Sequence, residues 1–166
     1  MFELKPLSAQ AVEGALAKAE RYRLLNEPAE AESICRDILE VDDGNQAALR
    51  ILSLALTDQI HRERGAFQES LSAAGRLHEE YERVYYTGIA WERRAKARHE
   101  EGGRGAQHAV HDWISRAMDC FGKAEALRPA GNDDSLLRWN TCVRFLCQHP
   151  QYAELEHELT EPLMLE

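Results

Sequence analysis

The residue types nearest to a metal site in this sequence are His99, His108 and His111, of which His108 and His111 stand at i and i+3 and share one face of a helix. No acidic or cysteine ligand completes an H-E-x-x-H or facial-triad spacing around them, so they read as surface histidines beside a glycine loop. Cys142, Cys147 and His149 make a second cluster, which lacks the second ligand pair of a zinc finger. No C-x-x-C pair occurs among the four cysteines, Cys35, Cys120, Cys142 and Cys147, and reduced structural thiols are the expectation. The carboxylate pairs Glu79 and Glu80, Glu100 and Glu101, and Asp133 and Asp134 have the type needed for general acid and base work, but helix capping and solvated faces account for them. Gly102, Gly103 and Gly105 lack the preceding strand and the following Lys-Ser or Lys-Thr of a phosphate loop. The expectation is therefore no enzyme, no catalytic residue, no metal and no cofactor.

One basic concentration remains, Arg93, Arg94, Lys96 and Arg98, with Tyr85, Tyr86 and Trp91 upstream, a mix that a nucleic-acid contact can use. Glutamates surround it, and Glu92 stands four residues before Lys96, so a salt-bridged, solvated helix face is the stronger reading. A formal net charge of −9 points the same way, because affinity for nucleic acid comes from cations that neutralise phosphates. Acidic balance favours basic or apolar partners, and neither nucleic acid nor membrane is expected among them.

The elements that must position these residues are helices. The chain has 166 residues, 44% hydrophobic and 30% charged, within the range of an ordinary globular domain. No apolar run approaches the roughly 20 residues that a membrane span needs, and the first residues lack the basic start and apolar stretch of a secretion signal, so a cytoplasmic protein is expected. Apolar residues recur every three or four positions in segments separated by the few prolines and glycines. The spacing predicts helices over residues 8–25, 28–41, 46–59, 66–81, 82–101, 107–127 and 133–149. The third, apolar nearly all round, belongs at the centre, and the boundary between the fourth and fifth carries no clear breaker. Residues 1–147 form the expected helical domain, and residues 148–166 an acidic tail, partly ordered at most.

Internal similarity turns seven helices into a family resemblance. Ala117, Phe121, Ala124 and Pro129 resemble the second helix of a tetratricopeptide repeat, in which a small residue is followed by an aromatic four later, a small residue three after that, and a proline. Ala31, Cys35, Ile38 and Asp43 align with the same positions, Ala19 and Tyr22 with the small and aromatic positions of a leading helix, and Ser70, Ala74 and Leu77 with a middle repeat. The strings ending at Pro28 and Cys142 are similar to bacterial tetratricopeptide-like proteins of unassigned function. The resemblance covers about residues 8–147 and implies an all-α fold, antiparallel hairpins stacked as a short right-handed solenoid of about three hairpins plus a capping helix.

The same resemblance implies a non-catalytic scaffold or adaptor that binds a peptide or protein in a concave groove lined by the leading helices. Carried over residue by residue, the groove positions are Glu13, Leu16, Glu20, Arg23 and Leu24, then Arg50, Leu54 and Asp58 beside Ala47, then Trp91 and Arg94. Leu16 and Glu20 stand where the carboxylate clamp of chaperone-binding relatives would begin, so capture of a C-terminal carboxylate by that clamp is not expected. Two other functions compete: a small helical metal protein or enzyme centred on the loop histidines, and a secretion-type chaperone, which only size and charge support. Leu163, Met164 and Leu165 give an alternative apolar contact in the tail.

Overall fold

The computed structural model describes residues 2–63 and 65–153. Among them seven α-helices follow one another without a strand: α1 (Val12–Leu24), α2 (Pro28–Val41), α3 (Gln46–Thr57), α4 (Ala66–Gly75), α5 (Glu80–Glu101), α6 (Ala106–Leu127) and α7 (Asp134–Gln148). The protein is all-α. Short 3-10 turns at Ala9–Ala11 and Pro150–Tyr152 flank the set. Gln148 ends α7 and Tyr152 is buried, so the fold runs into the segment expected as a tail, whereas residues 154–166 lie outside the described residues.

Local chemistry explains most of the boundaries. Pro28 opens α2 at a position where its missing N–H is no loss, and Asn26, at φ 62°, makes the left-handed turn before it. Asn45 caps α3 by accepting from the Ala48 N–H at 2.9 Å. The expected helix over 66–81 stops earlier, at Gly75. There Gln46 Oε1 accepts the His78 N–H at 2.7 Å, and Arg83 donates to the carbonyls of Leu77 and His78, so side chains of α3 and α5 hold a turn instead of a further helical turn. Between α5 and α6, Gly102, Gly103 and Gly105 all take positive φ, and Arg98 donates to the carbonyls of Gly102 and Arg104, which ties the loop back to α5.

Each helix packs on the next, and the odd-numbered helices also touch in series, α1 with α3, α3 with α5, and α5 with α7. α3 is central as expected, touching α1, α2, α4 and α5 and burying Ala48, Leu49, Leu52, Ser53, Ala55, Leu56 and Thr57. Two apolar clusters result. Ala19, Cys35, Leu49, Leu52, Leu56, Ala66, Ala73 and Leu77 fill the first four helices. Ile89, Ala95, Val110, Ile114, Ala117, Phe121, Cys142, Phe145 and Tyr152 fill the last three, and Tyr86 packs against both clusters.

The first three aligned positions of each even-numbered segment are buried, Ala31, Cys35 and Ile38 on α2, Ser70, Ala74 and Leu77 at α4, and Ala117, Phe121 and Ala124 on α6, whereas Asp43 and Pro129 at the fourth are exposed. Opposite Phe121, α5 carries Gly88, and a Cβ there would stand 2.7 Å from Phe121 Cε1 and 3.0 Å from Cys120 Cβ. Gly88→Ala is therefore expected to destabilise the protein by about 1 to 2 kcal/mol, overpacking outweighing the helix propensity that alanine adds. Urea unfolding checks this; an unchanged midpoint would mean that the helices separate easily at this point.

Candidate functional site

Two of the three loop histidines, His99 and His111, are spent on packing. His111 Nδ1 donates to the Tyr152 carbonyl at 2.5 Å, His99 Nδ1 lies 2.7 Å from the Tyr152 hydroxyl, and His149 Nδ1 donates to the Phe145 carbonyl at 2.9 Å. Together they pin the 3-10 turn after α7 onto α5 and α6. His108 is exposed, and among the described residues no three His, Cys, Asp or Glu side chains converge as a metal would require.

The thiols are equally inward. Burial pushes Cys35 up to about 12, helped by Glu32, and pushes Cys142 up to about 12, helped by Glu92, while burial also raises Cys120. A thiol held so far up stays protonated, and therefore unreactive, near neutral pH. Iodoacetamide at that pH is expected to label exposed Cys147 first and to reach Cys35 and Cys142 only on unfolding, which mass spectrometry of a time course reads directly. Labelling of Cys142 at the Cys147 rate would show that the α5 to α7 core opens readily.

Charged side chains of the odd-numbered helices gather in a cleft of about 380 Å³, lined by Thr57, Asp58 and His61 at the end of α3, by Arg93, Lys96 and Glu100 of α5, and by Arg138 of α7. Asn26, just after α1, closes one side. Two carboxylates organise it. Asp58 is shared by Arg93 at 2.7 Å and Arg23 at 3.6 Å, and Glu92, fully buried, is shared by Lys96 at 2.5 Å and Arg138 at 3.4 Å. For Arg138 burial alone would lower the guanidinium, but Glu92 and the neighbouring Tyr85 hydroxyl outweigh it and raise it. Further along the same helices Arg50 NH1 reaches both oxygens of Glu82, at 2.9 and 3.2 Å. His61 Nε2 stands 3.2 Å from Glu100 at the rim. Such an arrangement binds and orients charged groups; its cations keep unused donors, since a guanidinium carries five N–H bonds and Arg93 commits one to Asp58.

Of the expected groove residues, Asp58 lines this cleft and Arg23 pairs with it from α1 without lining it, while Arg50 lies in the α3 to α5 seam on Glu82. Leu54 is half-buried against the α5 to α7 core, while Glu13, Glu20 and Leu24 are exposed on α1 and Leu16 is half-buried there, none of them lining the cleft. Trp91 and Arg94 are turned elsewhere. The Arg94 guanidinium sits 4.1 Å from the ring centres of both Phe67 and Trp113, and Trp91 meets Phe67 edge to face at 4.7 Å, so this pair joins α5 to α4 and α6. Burial, with Arg116 nearby, lowers the Arg94 guanidinium. Arg93, one residue and about 100° around the helix, lines the cleft. Tyr22, expected inward, is 37% exposed and lines a separate cleft of about 530 Å³ between α1 and α2 with Ala11, Gly14, Ala15 and Ile34.

Sequence reasoning missed Arg93, Glu92 and Arg138 as one assembly. The Glu92 to Lys96 pair was legible at i,i+4, but on a face read as solvated, whereas Glu92 is fully buried; nothing local signals Arg138, 46 residues away. Set against family models, curated proteins and solved structures, the chain matches none.

Proposed function

We propose that the chain is a non-catalytic protein-interaction module of the tetratricopeptide type: three helical hairpins, α1 with α2, α3 with α4 and α5 with α6, stacked as a short right-handed solenoid and capped by α7. The observation that carries this reading is a cleft lined by the C-terminal end of α3, by α5 and α7, and by Asn26 in the turn after α1, the side on which stacked hairpins would present their leading helices. The repeated burial at i, i+4 and i+7 in α2, in α6 and from α4 into the turn after it supports the reading independently. A peptide or a segment of a partner protein is the ligand, held by cations whose geometry the buried Glu92 and the part-exposed Asp58 fix beforehand, in the cytoplasm. Among the described residues no helix is long and apolar enough to cross a membrane.

Peptides selected on the full chain from a random library test the reading. Substitution of Arg93 by Glu is expected to weaken the selected peptides more than about tenfold, while Lys123→Glu on exposed α6 leaves them unchanged. The opposite pattern would move the interaction to the even-numbered helices.

A further inference from the structure

Resting on that groove reading, we infer that the segment it receives is acidic, an extended stretch of a partner protein carrying glutamate or aspartate side chains to Arg93, Lys96 and Arg138. A net charge of −9 suggests a basic partner, but charges beyond about 8 Å are largely screened at physiological salt, so the nearest groups set the field inside a cleft. Here the nearest groups are cations. Asp58 serves both Arg23 and Arg93, and Glu92 serves both Lys96 and Arg138, so each trio keeps one positive charge in surplus. Depth adds to the effect: the Glu92 side chain is 0% exposed and that of Asp58 18%, while Arg93, Lys96 and Arg138 are 30 to 35% exposed. Away from the Glu100 rim, a ligand therefore meets ammonium and guanidinium groups first, with the Asp58 and Glu92 carboxylates beneath them.

Polarity along the cleft fixes where the acidic groups go. Glu100, 68% exposed beside His61, repels a carboxylate at the end near the α5 terminus. Arg93 and Lys96, at i and i+3, present neighbouring donors one turn earlier, with Arg138 across from them on α7. Phosphates of nucleic acid share the anionic chemistry, but the aromatic rings that would stack bases are absent from the lining: Trp91, Phe67 and Trp113 are closed around Arg94 on the α4 and α6 side. A peptide carboxylate needs only the cations.

The charge sharing also supplies the test. Arg93→Gln leaves Asp58 with Arg23, and Lys96→Gln leaves Glu92 with Arg138, so the double variant removes both surplus charges without orphaning an acid. Fluorescein-labelled hexaglutamate, followed by anisotropy on the full chain, is expected to bind, to weaken as salt is added, and to lose about tenfold or more in affinity on the double variant at an unchanged melting temperature. Lys18→Gln with Lys123→Gln removes the same charge outside the cleft and is expected to leave binding intact. Hexalysine binding more tightly than hexaglutamate, with loss on Arg93→Gln, would overturn the acidic assignment while the groove reading stands. Equal hexaglutamate affinity on both double variants, or tighter binding of hexathymidylate, would also overturn it. A full chain with Glu154, Glu156, Glu158, Glu161 and Glu166 changed to Gln distinguishes one more occupant: a gain of about tenfold or more for hexaglutamate would assign the cleft to the chain's own acidic segment and not to a partner. If neither hexaglutamate nor the library-selected peptides respond to Arg93 substitution, both readings fall together.

Discussion

Phe121→Ala should lower the stability of the protein by about 3 to 5 kcal/mol and its melting temperature on the order of 10 °C. The ring is fully buried, stands at the close approach of α6 to Gly88 on α5, and has Tyr85 at 6.1 Å between ring centres. Ala117 and Ala124 on its own face have no side chain to swing inward, and Gly88 has none at all, so the cavity persists and its cost adds to the lost transfer energy. Calorimetry with denaturant unfolding reads the effect. A loss under about 1 kcal/mol would mean that Phe121 does not fill the α5 to α6 interface and would remove the best-matched position of the repeat resemblance.

Lys96→Met combined with Arg138→Met should cost a comparable amount, on the order of 3 kcal/mol, for a different reason. Glu92 is fully buried and both of its cations would be gone, leaving a carboxylate without water or partner beside Cys142. Neither cation is deeply buried, so most of the loss belongs to the orphaned acid and not to the missing attraction. Adding Glu92→Met to the pair is therefore expected to restore stability to within about 1 kcal/mol of the parent, because an apolar triad of similar volume carries no desolvation cost. Thermal melts of the double and triple variants separate the possibilities. A triple variant no more stable than the double would show that the cations matter through packing of their methylene stems.

Helix identity was legible because it rests on local spacing. α2 runs from Pro28 to Val41 as its proline start and apolar face indicate, and the apolar girth of α3 indicated its central place. The end of α4 was not legible, since the turn after Gly75 is held by Gln46 from one side and Arg83 from the other, partners that no local window contains. The cleft divides in the same manner. Asp58, expected from the repeat register, lines it, whereas along α5 one residue separates the cleft-lining Arg93 from Arg94 in its aromatic sandwich, a difference that spacing alone did not fix. Burial of Glu92 depends on α7 lying across α5, a tertiary fact that reverses the ordinary expectation for a glutamate among arginines.

The central claim is that the odd-numbered helices form the binding face. Amide chemical-shift mapping of the full chain with a library-selected peptide tests it most directly, since it reports every described position at once. The account predicts perturbations concentrated at Asn26, Thr57, Asp58, His61, Arg93, Lys96 and Arg138, with the α2, α4 and α6 amides largely still. Perturbations centred on α2, α4 or α6, with the cleft residues unmoved, would contradict it.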